Sequence, residues 1–354
     1  MTLECVDMED VMPSAYKIAA PTRRIYAIAC LILASVGFCG VAAAQTKQLT
    51  PVSIRFSWKL KGEFAPLYVA MDKGYFAAEG IDIKLGEGSS SQAALGSIVQ
   101  GQDQGAWIPG VYAIQAISNG LPVKVVGLYN AAAPNVLLSR ANNPITKPGD
   151  LVGKTLGHSI GDVGTTFIGV ICRKNKIDCT SFKKVTLAAP ARVPALVNGQ
   201  VDAISVYTSN DVPILEEKFG AKAFAYLDLP KYGQRVMGAS LIVSDAYLAQ
   251  NPETVARMLR AIGKGFDDTI KDPAAAAKIM LKHWETPLSL EVVTKQVEAL
   301  NAAVETPAGK PMGWVDPQAV EDTLDALQEA NEIKGRKETK EYMDNDVGRR
   351  APPS

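Results

Sequence analysis

Two polar stretches of this chain carry the residue types that could hold a ligand: Ser89, Ser90, Ser91 and Gln92, after Gly86-Glu87-Gly88, and Asp162, Gly164, Thr165 and Thr166, after Ser159-Ile160-Gly161. Each stands just before a helical pattern. The first turn of a helix leaves backbone N–H groups without intrahelical partners, so both stretches offer free donors beside hydroxyls. Two such starts could clamp a polar or anionic group; plain helix capping by Ser, Asp and Thr is the other use of the same residues. Glu87 works against a strong anion. Aromatic side chains supply a second kind of contact: Trp58 and Phe64 flank the loop after the first expected strand, Trp107 ends the third and Tyr129 follows the fourth. Such faces suit a planar ligand, or they are ordinary core packing. Lys59, Lys61, Arg192 and Arg235 are the nearest cations for a carboxylate or sulfonate.

The chemistry that is missing narrows the class further. The chain has 2 histidines, His158 and His283, and no Gly-x-Ser-x-Gly elbow, phosphate-binding lysine loop, dinucleotide glycine fingerprint or metal-ligand cluster. No catalytic residue, metal or cofactor is therefore expected, and the chain reads as a binding protein rather than an enzyme. His158, at a strand end, is expected to be a hydrogen-bonded structural histidine, and His283 beside Trp284 a surface or interface pair. Lys and Arg total 37 against 37 Asp and Glu, with no basic stripe, so nucleic acid is not expected as a partner.

The elements that must position these residues emerge from periodicity. Residues 52–57 read as a strand, 65–73 as a helix stopped by Gly74 and 81–85 as an alternating strand. Helices over 91–100 and 111–119 then alternate with strands over 105–108 and 123–128, which implies a parallel sheet covered by helices on both faces. After Asn142-Asn143-Pro144 a second series begins, with strands over 154–157, 183–187, 203–206 and 221–227 and helices over 164–175, 191–198 and 211–219. Residues 234–243 form an extended run expected to cross back to the first lobe. From 244 the pattern is helical. Asn251 is the expected cap of a helix with Pro252 in its first turn, and Val255, Met258, Leu259, Ile262 and Phe266 form its core stripe. Further helices are expected over 273–283, 289–304 and 316–330, and the polar tail beyond Lys334 is expected to fray.

At 354 residues, 47% of them apolar, the chain is long enough for two α/β lobes. The segments 99–107 and 197–204 echo each other, each a helix end, a glycine stop and a short strand. Equivalent points in two related lobes would put residues 107–110 and 206–208 on a shared cleft, because ligands of open α/β sheets bind outside the carboxyl ends of the strands. The assignment is residues 45–140 plus 241–354 to the first lobe and 141–240 to the second.

The amino terminus reads as a secretory leader. Arg23-Arg24 is followed by an uncharged stretch over 25–41 and by Ala42-Ala43-Ala44, so a signal peptide of residues 1–44, cleaved after Ala44, is expected. A membrane-spanning anchor is the other reading of that stretch. Cleavage leaves Cys172 and Cys179 as the cysteines of the mature chain. They are expected to bridge the end of a helix to the turn beyond it, two buried free thiols being the alternative.

Residues 54–58 (Ile-Arg-Phe-Ser-Trp), 64–70 (Phe-Ala-Pro-Leu-Tyr-Val-Ala) and 74–82 (Gly-Tyr-Phe-Ala-Ala-Glu-Gly-Ile-Asp) resemble the opening of the periplasmic binding proteins for nitrate, sulfonates, taurine and thiamine-pyrimidine precursors. The likeness continues through the serine loop, residues 120–123, the run Asp150-Leu-Val-Gly-Lys-Thr155 and residues 239–264. The resemblance implies a type II periplasmic binding protein of the α/β class: two doubly wound lobes joined by two crossovers, monomeric, with the permease and ATPase subunits of an ABC importer as partners. It also implies Trp58, Phe64, the 89–92 loop, Trp107, Tyr129, the loop from Asp162 to Thr166, with Asp162 and Thr165 foremost, and Tyr207 as ligand neighbours. Pyrimidine binders of this group read Asp-Trp-x-x-Asn at the opening, where this chain has Ser57-Trp58-Lys59-Leu60-Lys61. An enzyme of thiamine-pyrimidine synthesis and a ligand-binding sensor subunit are the alternative functions.

Overall fold

The computed structural model describes residues 48–285 and 287–347. The expected leader and its cleavage after Ala44 lie outside the described residues. The strands are β1 (Thr50–Phe56), β2 (Ile81–Gly86), β3 (Gly105–Pro109), β4 (Val123–Leu128), β5 (Asn135–Arg140), β6 (Thr155–His158), β7 (Lys183–Thr186), β8 (Ala203–Tyr207), β9 (Phe224–Asp228) and β10 (Ala239–Ser244). They form two sheets, ordered β2-β1-β3-β10-β4 and β7-β6-β8-β5-β9. In each, the first three strands are parallel and the fourth runs antiparallel to both neighbours. The antiparallel strand is the one that enters straight from a crossover: the chain changes sheet at residues 129–134 and again at 229–238.

Burial explains which strands the sequence revealed. Along β1, Val52, Ile54 and Phe56 are buried while the residues between them are more open, the alternation of a half-buried strand. The five residues 135–139 of β5 are buried on both faces, so β5 has no alternation to read. It pairs with β8 and β9, and residues 135–140 thus belong to the second sheet rather than to the first lobe, where the sequence had placed them. β7 is exposed throughout, and Lys183 and Lys184 blunt this open edge.

The first sheet is sandwiched between two apolar layers. One gathers Phe56 of β1 with Leu67, Met258, Phe266 and Val297 from the helices Ala65–Asp72, Pro252–Lys271 and Leu290–Ala302; the other gathers Ile108, Ile114, Val125 and Leu324, with the helices Gly110–Ser118 and Pro317–Glu329. The second sheet has smaller layers, around Leu156 and Leu227 on one face and around Leu196 and Ile204 on the other. Among the described residues no helix is long and apolar enough to cross a membrane.

Three local expectations are corrected. The helix read over 164–175 is two short helices, Val163–Thr166 and Ile168–Lys174, broken at Phe167. Asn251 does not cap the long helix with its side chain; its Nδ2 donates back to the Tyr247 carbonyl and closes a separate helix, Asp245–Gln250, whose own cap is Ser244. The tail beyond Lys334 does not fray up to residue 347. Tyr342 and Val347 are fully buried, Met343 bridges to Val125 on the open edge of β4, and the Tyr342 hydroxyl meets Ser118 at 3.0 Å. Two large apolar anchors outweigh the polar composition around them. Cys172 and Cys179 are joined as a disulfide, their Cα atoms 5.6 Å apart.

Candidate functional site

The parallel strands of both sheets aim their carboxyl ends at one cavity of about 690 Å³, within the roughly 300–1,000 Å³ usual for small-molecule sites. From the first lobe come Trp58 and Phe64 after β1, the 89–92 loop after β2 and Trp107 at the end of β3. From the second come Asp162 after β6, Arg192 and Tyr207 at the end of β8. β3 and β8 hold the third place in their sheets, as the echoed segments suggested, and Gly101 and Gly199, which precede them, both take positive φ.

The first-lobe wall is aromatic and braced from behind. Trp107 packs on Tyr129 at 4.8 Å between ring centroids, and Tyr129 stacks on Phe266 at 4.5 Å with the planes 8° apart. Phe64 stacks on Phe56 at 4.3 Å. Trp58 is 47% exposed and stands at the cavity without such a brace among the described residues. Beside these rings, Ser90 caps the helix Ser91–Val99 by accepting from the Ala93 N–H at 3.1 Å. The loop before it passes over Phe56 so closely that a Cβ on Gly88 would lie 1.8 Å from the Phe56 carbonyl oxygen.

The second-lobe wall is polar. Asp162 accepts from the Gly164 N–H at 3.1 Å and the Thr165 hydroxyl at 2.8 Å, and pairs with Arg192 at 3.5 Å. Arg192 in turn donates to the Ser205 carbonyl at 2.6 Å, while its Nε is shut off from solvent without a partner among the described residues. Thr165 is fully buried and shares its hydroxyl with Nδ1 of His158, whose imidazole burial holds below its ordinary range.

Tyr129 and Thr165 are therefore placed behind the cavity surface rather than on it: the first is held in the ring stack, the second ties Asp162 to His158. The other expected ligand neighbours, Trp58, Phe64, Ser89, Ser90, Ser91, Gln92, Trp107, Asp162 and Tyr207, line the cavity. Of the four candidate cations, Lys61 and Arg192 line it; Lys59 pairs with Glu87 at 2.9 Å and Arg235 with Glu305 at 2.7 Å. His283 is held by Asp72 at 2.6 Å and lies against the Tyr68 ring.

Sequence reading missed the groups that meet across the lobes. Glu63, on the turn before Phe64, accepts from the Ser209 hydroxyl at 3.3 Å, and Asp211 lies on the same stretch of cavity. Burial, then the negative charge of Asp211, pushes the Glu63 carboxyl up to about 7, against the opposing pull of Lys61 and of the Ser209 bond. Gln296, fully buried, accepts from the Gly62 N–H at 2.9 Å and donates to the Asn210 carbonyl at 2.7 Å, tying the two lobes beside this pair. Tyr112 spans the cleft with a hydroxyl donated to the Gly161 carbonyl, and Gly161 holds a φ of +78° that favours glycine. The echo of β3 in β8 marked residues 206–208 as cleft and stopped one residue short of Ser209, Asn210 and Asp211. For Glu63 and Gln296 the sequence held no signal, because 234 positions separate Gln296 from its partner Gly62.

Comparison with known proteins agrees with this fold. The model of the NMT1/THI5-like family matches residues 61–276. A formylaminopyrimidine-binding protein of Halalkalibacterium halodurans is 26% identical over 292 residues, covering 80% of this chain and 87% of that protein. The riboflavin-binding protein RibY of Chloroflexus aurantiacus is 27% identical over 281 residues, 73% of this chain and 78% of its own length. Among solved structures, the periplasmic aliphatic sulphonate binding protein SsuA of Escherichia coli superposes with a TM-score of 0.68 over 85% of this chain and 99% of that one, at 15% identity, a likeness of fold.

Proposed function

The chain belongs to the NMT1/THI5-like family, and from that premise we propose that it is the extracytoplasmic solute-binding receptor of an ABC importer. It captures a small organic molecule between its lobes and hands it to a membrane permease driven by a separate ATPase. One observation carries the reading: both sheets point the carboxyl ends of their parallel strands at a single cavity with walls from the two lobes. Supporting it are the two crossovers, which let lobes close over a ligand, and the polar and aromatic linings, which suit recognition without bond breaking. The leader read in the sequence fits export to the periplasm.

The test is a thermal-shift screen of the mature chain with a metabolite library, followed by small-angle scattering with each hit. A ligand at 100 times its dissociation constant stabilises by about 2.7 kcal/mol, several degrees for a chain of this size. Hits that also contract the molecule are expected. The reading falls if no small molecule raises the melting temperature, or if the purified chain consumes a hit and releases a product.

A further inference from the structure

We propose that Gln296 is a latch: from outside the cavity its side-chain amide ties one lobe to the other and slows the escape of a bound molecule, while the lobes stay joined on the opposite faces of their sheets. This rests on the receptor reading and adds to it a positioning residue that is not part of the cavity lining. The lobes meet on both faces of their sheets, in different ways. On one face the contact is continuous core. Phe167 and Val170 of the second lobe share an apolar layer with Leu324, Ala326 and Leu327 of the first-lobe helix Pro317–Glu329 and with Val236 and Met237 of a crossover. Arg173 donates to Glu329 at its rim at 2.8 Å, and the Thr323 hydroxyl of the same helix accepts from the Met237 N–H at 2.9 Å. The two crossovers also bond each other, Ala133 N–H to the Val236 carbonyl at 2.7 Å and Gly238 N–H to the Asn130 carbonyl at 2.9 Å. Buried apolar surface and paired backbone hold together without a ligand's help, so this face is the pivot.

On the other face the lobes share no core among the described residues. The first-lobe layer there, with Val297 and Leu300 of the helix Leu290–Ala302, and the second-lobe layer, with Leu215 of the helix Asp211–Phe219, are separate clusters. What joins them is polar. Gln296 Nε2 donates to the Asn210 carbonyl at 2.7 Å, the Ser209 hydroxyl to Glu63 at 3.3 Å and the Ser289 hydroxyl to Glu217 at 2.5 Å. Each bond is directional and can be exchanged for one to water at small net cost, which is what a contact that opens and closes requires. Gln296 is the member built into the fold. It is fully buried, and its Oε1 is held by the Gly62 N–H at 2.9 Å, so the amide is aimed at the second lobe in advance. Residue 62 has to be glycine for this, because a Cβ there would come within 2.6 Å of the Gln296 Cβ. Leu300, one turn further along the same helix face, lines the cavity, so latch and cavity wall ride on one rigid element.

Hydrogen exchange read by mass spectrometry on the mature chain tests the latch with no ligand added. Gln296→Met keeps the length of the side chain and removes both of its bonds. It is expected to speed exchange about five-fold in the second-lobe segment 207–217, opposite the mutated residue, and to leave the pivot segments 163–174 and 317–330 unchanged. Stopped-flow with the strongest hit of the thermal-shift screen then divides the effect: the dissociation rate should rise about five- to ten-fold, the worth of one net hydrogen bond, and the association rate should stay within about two-fold, since no lining residue changes. Glu217→Ala, a surface change that removes the outer bond to Ser289, should raise the dissociation rate about two-fold, and Arg173→Gln, which cuts the ion pair on the pivot face, should not raise it. The melting temperature of each variant shows that it is folded. The latch is overturned if exchange in Gln296→Met rises equally in all three segments, if neither Gln296→Met nor Glu217→Ala changes the dissociation rate, or if Arg173→Gln raises it as much as Gln296→Met does. Each of these results leaves the receptor reading standing. A screen without hits overturns the retention role together with that reading, whatever the exchange pattern.

Discussion

The two lobes share a strand order and differ in what they bring to the cavity. Both sheets have three parallel strands, then an antiparallel one from the crossover, then an edge, and both place a short third strand with its carboxyl end at the cleft. The first lobe answers with rings packed on rings, Trp107 on Tyr129 on Phe266. The second answers with a hydrogen-bonded polar wall, Asp162 with Arg192 and Ser205. Topology therefore decides where the cavity lies, and side chains on equivalent strands decide what lines each half of it. The supports differ as well. Stacked rings hold the aromatic wall by burial, which is non-directional, whereas the polar wall depends on each bond being made.

The sharpest way to break this contrast is to remove the brace behind the aromatic wall. Phe266 is fully buried and touches both Tyr129 and Trp107. Phe266→Ala should cost about 3–5 kcal/mol of stability, from lost burial plus the cavity left behind, as read from urea unfolding. It should also weaken ligand capture by loosening Trp107. A cost under about 1 kcal/mol would mean that the wall is not held by this stack.

A second probe addresses the point where the walls meet. Glu63 has a folded-state pKa raised from 4.5 to about 7, so it contributes stability that is fully present below about pH 4.5 and lost as pH rises through about 7. Glu63→Gln removes that loss. Subtracting the urea-unfolding stabilities of the parent from those of the variant should give a difference that grows by about 2 kcal/mol between pH 5 and pH 8, in favour of the variant. Parallel curves would show that burial and Asp211 do not press on this carboxyl, and the polar end of the cavity would need another explanation.

Much of this frame was legible in the sequence, for reasons that also explain what was not. Half-buried strands such as β1 and amphipathic helices such as Pro252–Lys271 announce themselves by period, and glycines 101 and 199 mark the helix stops before the echoed strands. β5 was invisible because it is buried on both faces, and Tyr342 because one ring anchors a polar tail. The serine loop and strand-end aromatics were found since they lie next to strand ends in the chain. Tyr129 was misplaced for the same reason: it too comes directly after a strand, and only packing on Phe266 shows that it faces inward. Glu63, Asn210 and Gln296 depend on contacts between lobes, which no local pattern encodes.

The smallest effect on stability, and the finest test of the contrast, belongs to Trp58. It lies on the cavity but is 47% exposed and has no ring packed behind it among the described residues, unlike Trp107 at 3% exposure. Trp58→Ala should therefore move the urea midpoint by less than the equivalent of about 0.5 kcal/mol, as expected of an exposed side chain free of structural bonds. Its ring face is open to the cavity, so the same change should weaken a hit of the thermal-shift screen by about 1 kcal/mol, the scale of one aromatic contact. Trp107→Ala reverses the balance, since emptying that site costs stability first. If Trp58→Ala destabilised the fold as Trp107→Ala does, the exposed ring would be part of the brace, and the first-lobe wall would be one structural unit rather than a rigid stack with a separate ligand-facing ring.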